Sequence, residues 1–375
     1  RRVAFAAAGG TTTAIDFAVQ RESDVMETLA ARRAETEEQA VIDFSVHSVL
    51  TETSTGTVDR LPELIEAGFP TFKLYMLYKA QGRMGDDALL LAALDASARE
   101  NGMTIVHAEN AAMMEFNVAR LVAEGRTSAA DFARTKPNIA EAEAINRALF
   151  LAEQTGGSLY VFHTSTREGV ELIRRAQERG VAAYAETCPH YLTLTEDVLA
   201  GPRRPPDAVQ PPPLRTAEDA AALWQALADG VIQVVSSDHC GYGAEVKDLG
   251  REDFRRGANG LPGAGVAPAT RPHPWGADRA AESERHGPGP EYQRGSPVRA
   301  GAHEGGAITP GADADLVLFD PDKEQVVRAA DLESPVDWSP YEGMTLTGWP
   351  VLTLSRGGEV VAEDGKCVAT PGGRG

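Results

Sequence analysis

Over roughly the first two-thirds of the chain, short runs of apolar, β-branched and aromatic residues alternate with charged stretches of helical period. The apolar runs predict strands at 11–17 (TTTAIDF), 41–50 (VIDFSVHSVL), 69–79 (FPTFKLYMLYK), 103–109 (MTIVHAE), 158–165 (SLYVFHTS), 181–186 and 231–238. Between them the pattern predicts helices at 21–39, 61–68, 87–101, 111–124, 139–154, 167–179 and 217–229, while residues 1–10 read as the tail of a helix stopped at Gly9-Gly10. A Pro-rich crossing at 201–213 is the main interruption.

Repeating β and α favours an α/β fold with a parallel sheet. Seven strands are one short of a closed barrel's eight. The expected fold is therefore a (β/α)8 TIM-type barrel, incomplete at its first strand because the chain opens in mid-helix. After Gly306 the pattern changes. GADADLVLFD and VLTLSRGGEVVAEDGK alternate apolar and polar residues around Gly turns, which predicts short antiparallel strands. Between 251 and 306, eleven glycines and seven prolines make 18 of 56 residues, too irregular a text for packed helices. The expected division is a barrel at 1–263, an irregular or frame-shifted segment at 264–305, and a small β-sandwich part with a tail at 306–375.

Composition narrows the class. A net charge of −19 disfavours nucleic acid as a partner. Three cysteines (Cys188, Cys240, Cys367) without C-x-x-C pairing suggest neither a disulfide framework nor a zinc ribbon. With no signal-peptide pattern and no long uninterrupted apolar run, the expectation is a cytoplasmic protein with no membrane partner.

Lys73 changes this picture most. It stands in the middle of an apolar strand, where an ammonium is costly unless paired or neutralised. Three later strands deliver His107, His163 and Asp238 at their C-terminal ends. In a parallel barrel those ends open on one face, the face that carries active sites, so the four side chains are expected to converge. His47, with hydrophobic neighbours, reads as structural, and His190 after a strand end is a weaker ligand candidate. Cys188 and Cys240 lack the His and Asp company of a cysteine nucleophile and read as packing residues. His273, His286 and His303 fall in the irregular segment and are discounted. Gly9-Gly10 precedes a strand and is no phosphate loop.

Seven motifs, AAAGGTTTAIDF, FKLYMLYK, VHAEN, FHTST, ETCPHYL, SDHC and NGLPG, follow one another in an order and spacing that resembles the hydantoinase and dihydropyrimidinase family of cyclic amidohydrolases. The likeness runs from Arg1 to about Gly263 and returns from Gly306 to about Lys366. It implies that carboxylated Lys73 bridges two divalent metal ions, zinc by preference, and that His107 and His163 ligate one of them. It implies that Asp238 ligates the other and handles the proton, that Tyr78 binds substrate and stabilises the oxyanion, and that Asn259 contacts the cyclic amide. The implied reaction converts a small cyclic amide, a hydantoin or a dihydropyrimidine, into an N-carbamoyl amino acid, in a homo-oligomer that is a tetramer in the family. Two departures matter. No H-x-H, the family's remaining ligand pair from its first strand, occurs in the chain, which predicts weak metal holding and impaired activity. Pro211 stands where the family commonly has a serine near the substrate ring, so the N–H is lost there. The alternative reading is a non-catalytic dihydropyrimidinase-like scaffold, which retention of Lys73, His107, His163, Asp238 and Tyr78 together disfavours.

Overall fold

The computed structural model describes residues 4–20, 24–51, 55–199, 208–265, 313–356 and 359–370. Seven parallel strands pair in sequence order: β1 (Thr13–Val19), β2 (Asp43–Leu50), β3 (Thr71–Tyr75), β4 (Met103–His107), β5 (Leu159–Val161), β6 (Ala183–Thr187) and β7 (Val234–Val235). Each crossover carries at least one helix. The central strands are buried on both faces, which explains their near-continuous apolar text.

The pleat sorts the two faces into separate cores. Phe72, Leu74, Val106, Leu159 and Val161 point outward into the main core beneath the helices. Met103, Ile105, Tyr160 and Phe162 point inward, with Phe17, Tyr184 and Val234 against them. The inner contacts also measure the curvature. In a flat sheet β1 and β5, four intervals apart, would lie about 19 Å from each other. Yet the Phe17 ring of β1 meets Phe162, just past β5, at 5.9 Å, and His47 of β2 meets it at 5.8 Å. The sheet is therefore curled into a half-barrel with a narrow aromatic interior.

Four of the seven strands end earlier at their C-terminal side than their text predicts. The run expected to extend to Lys79 stops at Tyr75, because the chain turns back: Gly85 N–H bonds Tyr75 O at 2.9 Å and Arg83 N–H bonds Tyr78 O at 3.2 Å. The runs expected to reach Ser165 and Asp238 pair only as far as Val161 and Val235. The β4 strand likewise ends at His107. His163 and Asp238 therefore stand on loops beyond their strands, while His107 is the last residue of β4.

The C-terminal part forms one antiparallel sheet among the described residues, where a sandwich was expected. Its strands β8 (Leu316–Val326), β9 (Thr345–Ser355), β10 (Glu359–Glu363) and β11 (Lys366–Cys367) lie in the order β11-β10-β9-β8. Pro321 sits on the edge strand β8 where the register shifts between Asp320 and Glu324, a position that asks for no ladder N–H. The helix Ala4–Ala8 packs its alanines and Phe5 against Val361 and Ala362 of this sheet. Arg356 pairs with Asp43 at 2.6 Å, and Thr353 Oγ1 donates to Ala7 O at 3.0 Å. No helix among the described residues is long and apolar enough to cross a membrane. The discounted His273, His286 and His303, with most of the 264–305 segment, lie outside the described residues.

Candidate active site

Lys73 is the third residue of β3 and points to the inner face, opposite Ile105 in register. It is 3% exposed. Its Nζ lies over the rings of Phe17 at 4.2 Å, Phe162 at 4.3 Å and Tyr75 at 5.1 Å, where ring faces offset part of the cost of burying the charge. Burial lowers its pKa to about 8, against the pull of Asp238 and Glu186. An amine near that value keeps a neutral fraction at physiological pH.

His107 and His163 meet edge to face with ring centroids 4.4 Å apart. Each stands three residues before a helix N-cap, and the caps fix the loops that carry them. Asn110 accepts from Met113 N at 2.9 Å, and Thr166 accepts from Gly169 N at 3.2 Å. His163 is further held by Thr164 N–H, which bonds Glu186 O at 2.8 Å. The pKa values of both imidazoles are lowered by burial, so both are neutral, the form that ligates metal.

Their outer faces differ. His107 Nε2 lies 2.7 Å from Glu109 Oε2, a carboxylate that orients the ring and leaves Nδ1 for another partner. The Nδ1 of His163 is buried with no partner. Beneath Glu109 runs a closed set of buried charges. Lys136 Nζ reaches Glu109 at 3.1 Å, Arg215 Nη1 donates to Lys136 O at 2.5 Å, and Arg215 Nη2 pairs with Glu141 at 3.1 Å. Glu141 in turn accepts from Ser165 N at 2.8 Å, two residues past His163. Burial works to raise the Glu109 carboxyl, and Lys136 and His107 overcome it, holding it at about 2. One hydrogen-bonded network therefore seats both imidazole loops.

Asp238 lies three residues beyond β7 at φ 38°, and His163 and Tyr78 also have positive φ, at 37° and 68°. His and Asp tolerate this region better than most residues, while for a bulky Tyr it is strained. Burial raises the Asp238 carboxyl to about 6, with Lys73 opposing. The Tyr78 ring is 5.9 Å from that of His107, and its hydroxyl is pushed well up by burial, with Glu109 adding to the shift. Asn259 stands on a loop across the mouth beside Cys240, whose Sγ is 3.9 Å from Asn259 O. The side-chain Oδ1 of Asn259 is buried without a partner. Lys73, His107, His163, Tyr78 and Asp238 are thus brought to one mouth, with Asn259 on its rim.

Among the described residues, no three His, Cys, Asp or Glu side chains lie close enough to hold an ion by themselves. The two imidazoles, with an orphaned buried nitrogen, suit a metal. A bare Lys73 ammonium would repel one, and carboxylation of that amine supplies the missing anionic oxygens. The donor set fits a divalent ion on that condition.

Other candidates occupy different settings. His47 Nδ1 bonds Thr71 Oγ1 at 2.8 Å, and burial lowers its pKa to about 3. His190 is buried against Tyr191, its Nε2 without a partner and its pKa lowered by burial to about 3. Cys188 is fully buried and burial pushes its thiol well up, away from a nucleophile's range. Cys240 is exposed. Glu109, Lys136, Glu141, Arg215 and Glu186 were not anticipated. Only the position of Glu109, two residues after His107, was a local signal.

The two neutral histidines have a measurable consequence. Above pH 6.5 both folded and unfolded chains hold His47 and His190 neutral. As pH falls from there toward 3 only the unfolded chain takes up protons, so stability drains across that window. At pH 5 each contributes a loss of roughly 2 kcal/mol. The expected result is a melting temperature that drops steeply between pH 6.5 and 5, with a shallower slope in His190→Leu. An equal slope in that variant would remove His190 from the account.

No family model matches the chain. It is 36% identical over 369 residues to the D-hydantoinase of Rhizobium radiobacter, covering 98% of this chain and 80% of the relative. To the D-hydantoinase of Streptomyces coelicolor it is 37% identical over 368 residues, covering 96% and 77%. A solved D-hydantoinase superposes with TM-score 0.87 at 33% identity, covering 98% of this chain and 80% of that one. The dihydropyrimidinase of Brevibacillus agri gives 0.87 at 30%, covering 99% and 80%. The fold and these relatives define a cyclic-amide hydrolase of the half-barrel-plus-sheet type. The chain belongs to the D-hydantoinase and dihydropyrimidinase family.

Proposed function

We propose that this chain opens the ring of hydantoins or dihydropyrimidines by hydrolysing the cyclic amide bond, giving N-carbamoyl amino acids. Its seven parallel strands belong, on this reading, to a (β/α)8 barrel working in a homo-oligomer. The observation that carries it is the buried amine of Lys73 facing two neutral imidazoles and a carboxylate at one mouth. Carboxylated Lys73, His107, His163 and Asp238 would hold divalent metal, zinc by preference for the imidazoles. When bound, the metal lowers the pKa of a water toward neutrality and polarises the ring carbonyl.

The protein's own groups do the rest. Asp238 accepts the proton of the attacking water and returns it to the departing ring nitrogen. Tyr78 keeps its proton because burial raises its pKa, so its hydroxyl donates to the oxyanion that forms on the carbonyl oxygen. Asn259 meets the cyclic amide with the Oδ1 that has no other partner. The aromatic interior of Phe17, Tyr75 and Phe162 keeps bulk water from below the site.

The test is direct. The chain purified with added zinc or manganese is expected to convert hydantoin or dihydrouracil to its N-carbamoyl acid, seen by loss of the ring and gain of the acid on chromatography. No conversion of either substrate by a folded, metal-supplied protein ends this reading.

A further inference from the structure

Lys247 lies in the short helix Ala244–Asp248, which follows the mouth loop of Asp238 and Cys240. It is 0% exposed, and its Nζ donates to Val209 O at 2.8 Å and Gly260 O at 2.9 Å. The indole of Trp338, from the C-terminal part, lies 5.6 Å from the same nitrogen. An apolar residue of the same length would fill this space without the cost of burying an amine. The amine's contribution therefore includes these two bonds, and what they join is specific. Val209 begins the strap that continues through Gln210, Pro211 and Pro212, and Gly260 follows Asn259. The straps also touch directly, Gly260 N–H bonding Val209 O at 3.2 Å, and Cys240 N–H bonds Leu261 O at 3.0 Å. A side chain at Gly260, where φ is 145°, would come within 2.5 Å of Cys240 O, so the strap is pressed against the Asp238 loop.

We propose that Lys247 is a positioning residue that ties the 209–212 and 259–261 straps into one wall of the substrate pocket and holds Asn259 at its rim. The inference rests on the substrate role given to Asn259 above. One ammonium donates to two carbonyls from segments 51 residues apart in sequence, and charge-assisted bonds of this kind are the stronger class. On that reading the wall faces the ring amide, and it comes from segments other than those that carry Lys73 and the two imidazoles. Its loss therefore loosens substrate contact and leaves Lys73, His107 and His163 in place.

Hydrogen exchange on the wild-type chain is the first arm, with the Gly260 and Cys240 amides expected to be protected well beyond exposed loop amides. In Lys247→Met those two amides are expected to exchange about ten- to a hundredfold faster, while amides of β3 and β4 keep their protection. In the same variant KM for dihydrouracil is expected to rise about tenfold or more, with kcat within about threefold and zinc content unchanged. Asn259→Ala should raise KM similarly, and the double variant should add little, since both act through one contact. Unprotected Gly260 in the wild type, unchanged exchange in Lys247→Met, or a fall in kcat at constant KM overturns the proposal. The exchange arms need no turnover. A chain that opens no ring would sink the proposed activity while these arms still decide whether the brace exists, and the wild-type arm holds even if Lys247→Met fails to fold.

Discussion

Lys73→Ala is expected to leave the protein folded, stripped of metal and without ring-opening activity. The physical reason lies in what surrounds the amine. Three ring faces and two neutral imidazoles offer no formal negative charge, and the nearest carboxylates, Asp238 and Glu186, have pKa values raised by burial to about 6 and about 7. A cation placed beside the imidazoles therefore has Asp238 as an anionic ligand and depends on residue 73 to supply a second, and alanine has nothing to carboxylate. The loss of metal's several kcal/mol of transition-state stabilisation corresponds to at least about a thousandfold in kcat/KM. Stability should respond the other way. Removing a buried, desolvated charge offsets much of the cavity cost, so the metal-free melting temperature should change little. Metal analysis after dialysis into zinc-containing buffer distinguishes the cases. A variant that retains the wild-type zinc content has its ligands elsewhere, and the carbamate role of Lys73 fails with it. Partial recovery of metal binding with millimolar acetate or propionate would instead support a missing carboxylate as the defect.

The residues that made this site legible are those whose chemistry contradicts their local text. Lys73 in FKLYM, and His107 and His163 at the ends of VH and FH, break apolar runs, and the period-2 pattern puts Lys73 and His107 on one face, while His163 lies beyond its strand at φ 37° and is out of that phase. The sheet order followed from the same pattern, because a strict β and α repeat has few solutions. Strand ends were less legible. The LYMLYK and VFHTS runs stay apolar past the last ladder bond, since buried mouth loops need apolar residues as much as strands do. Apolarity alone cannot tell a pleated residue from one turning at positive φ, as Tyr78 does. The supporting charges were invisible for another reason. Glu109, Lys136, Glu141 and Arg215 come from four separate segments and become a network only when folded, and each alone reads as an ordinary surface charge. Lys247 was hidden in the same way, by a charged neighbourhood (AEVKDLGRED) that reads as solvated.

Asp238→Asn is the second variant with a large expected effect, and the backbone makes it unusually clean. Residue 238 sits at φ 38°, a region where Asn is as comfortable as Asp. The substitution therefore keeps the loop, the size and most hydrogen-bonding capacity, and removes the ability to take up a proton together with the carboxylate charge, so zinc content is measured alongside turnover. Asp238→Ala would add backbone strain and a void, confusing the outcome. If Asp238 moves the proton from water to the ring nitrogen, the amide cannot, and kcat should fall by about 10²- to 10⁴-fold, the usual worth of a positioned acid–base group. KM should stay within a few-fold, because Asn259 and Tyr78 still meet the substrate. The neighbouring field shifts too: with residue 238 uncharged, the ammonium of Lys73 loses the first of the charges that favour it, so its pKa should fall further below 8. The neutral amine that reacts with carbon dioxide then becomes more abundant, and carboxylation of residue 73, read by ¹³C NMR with labelled bicarbonate, should not decrease. A variant with kcat within tenfold of wild type assigns the proton to another group. One that loses carboxylation along with turnover would instead make Asp238 a support for Lys73, and its separate role in proton transfer would go.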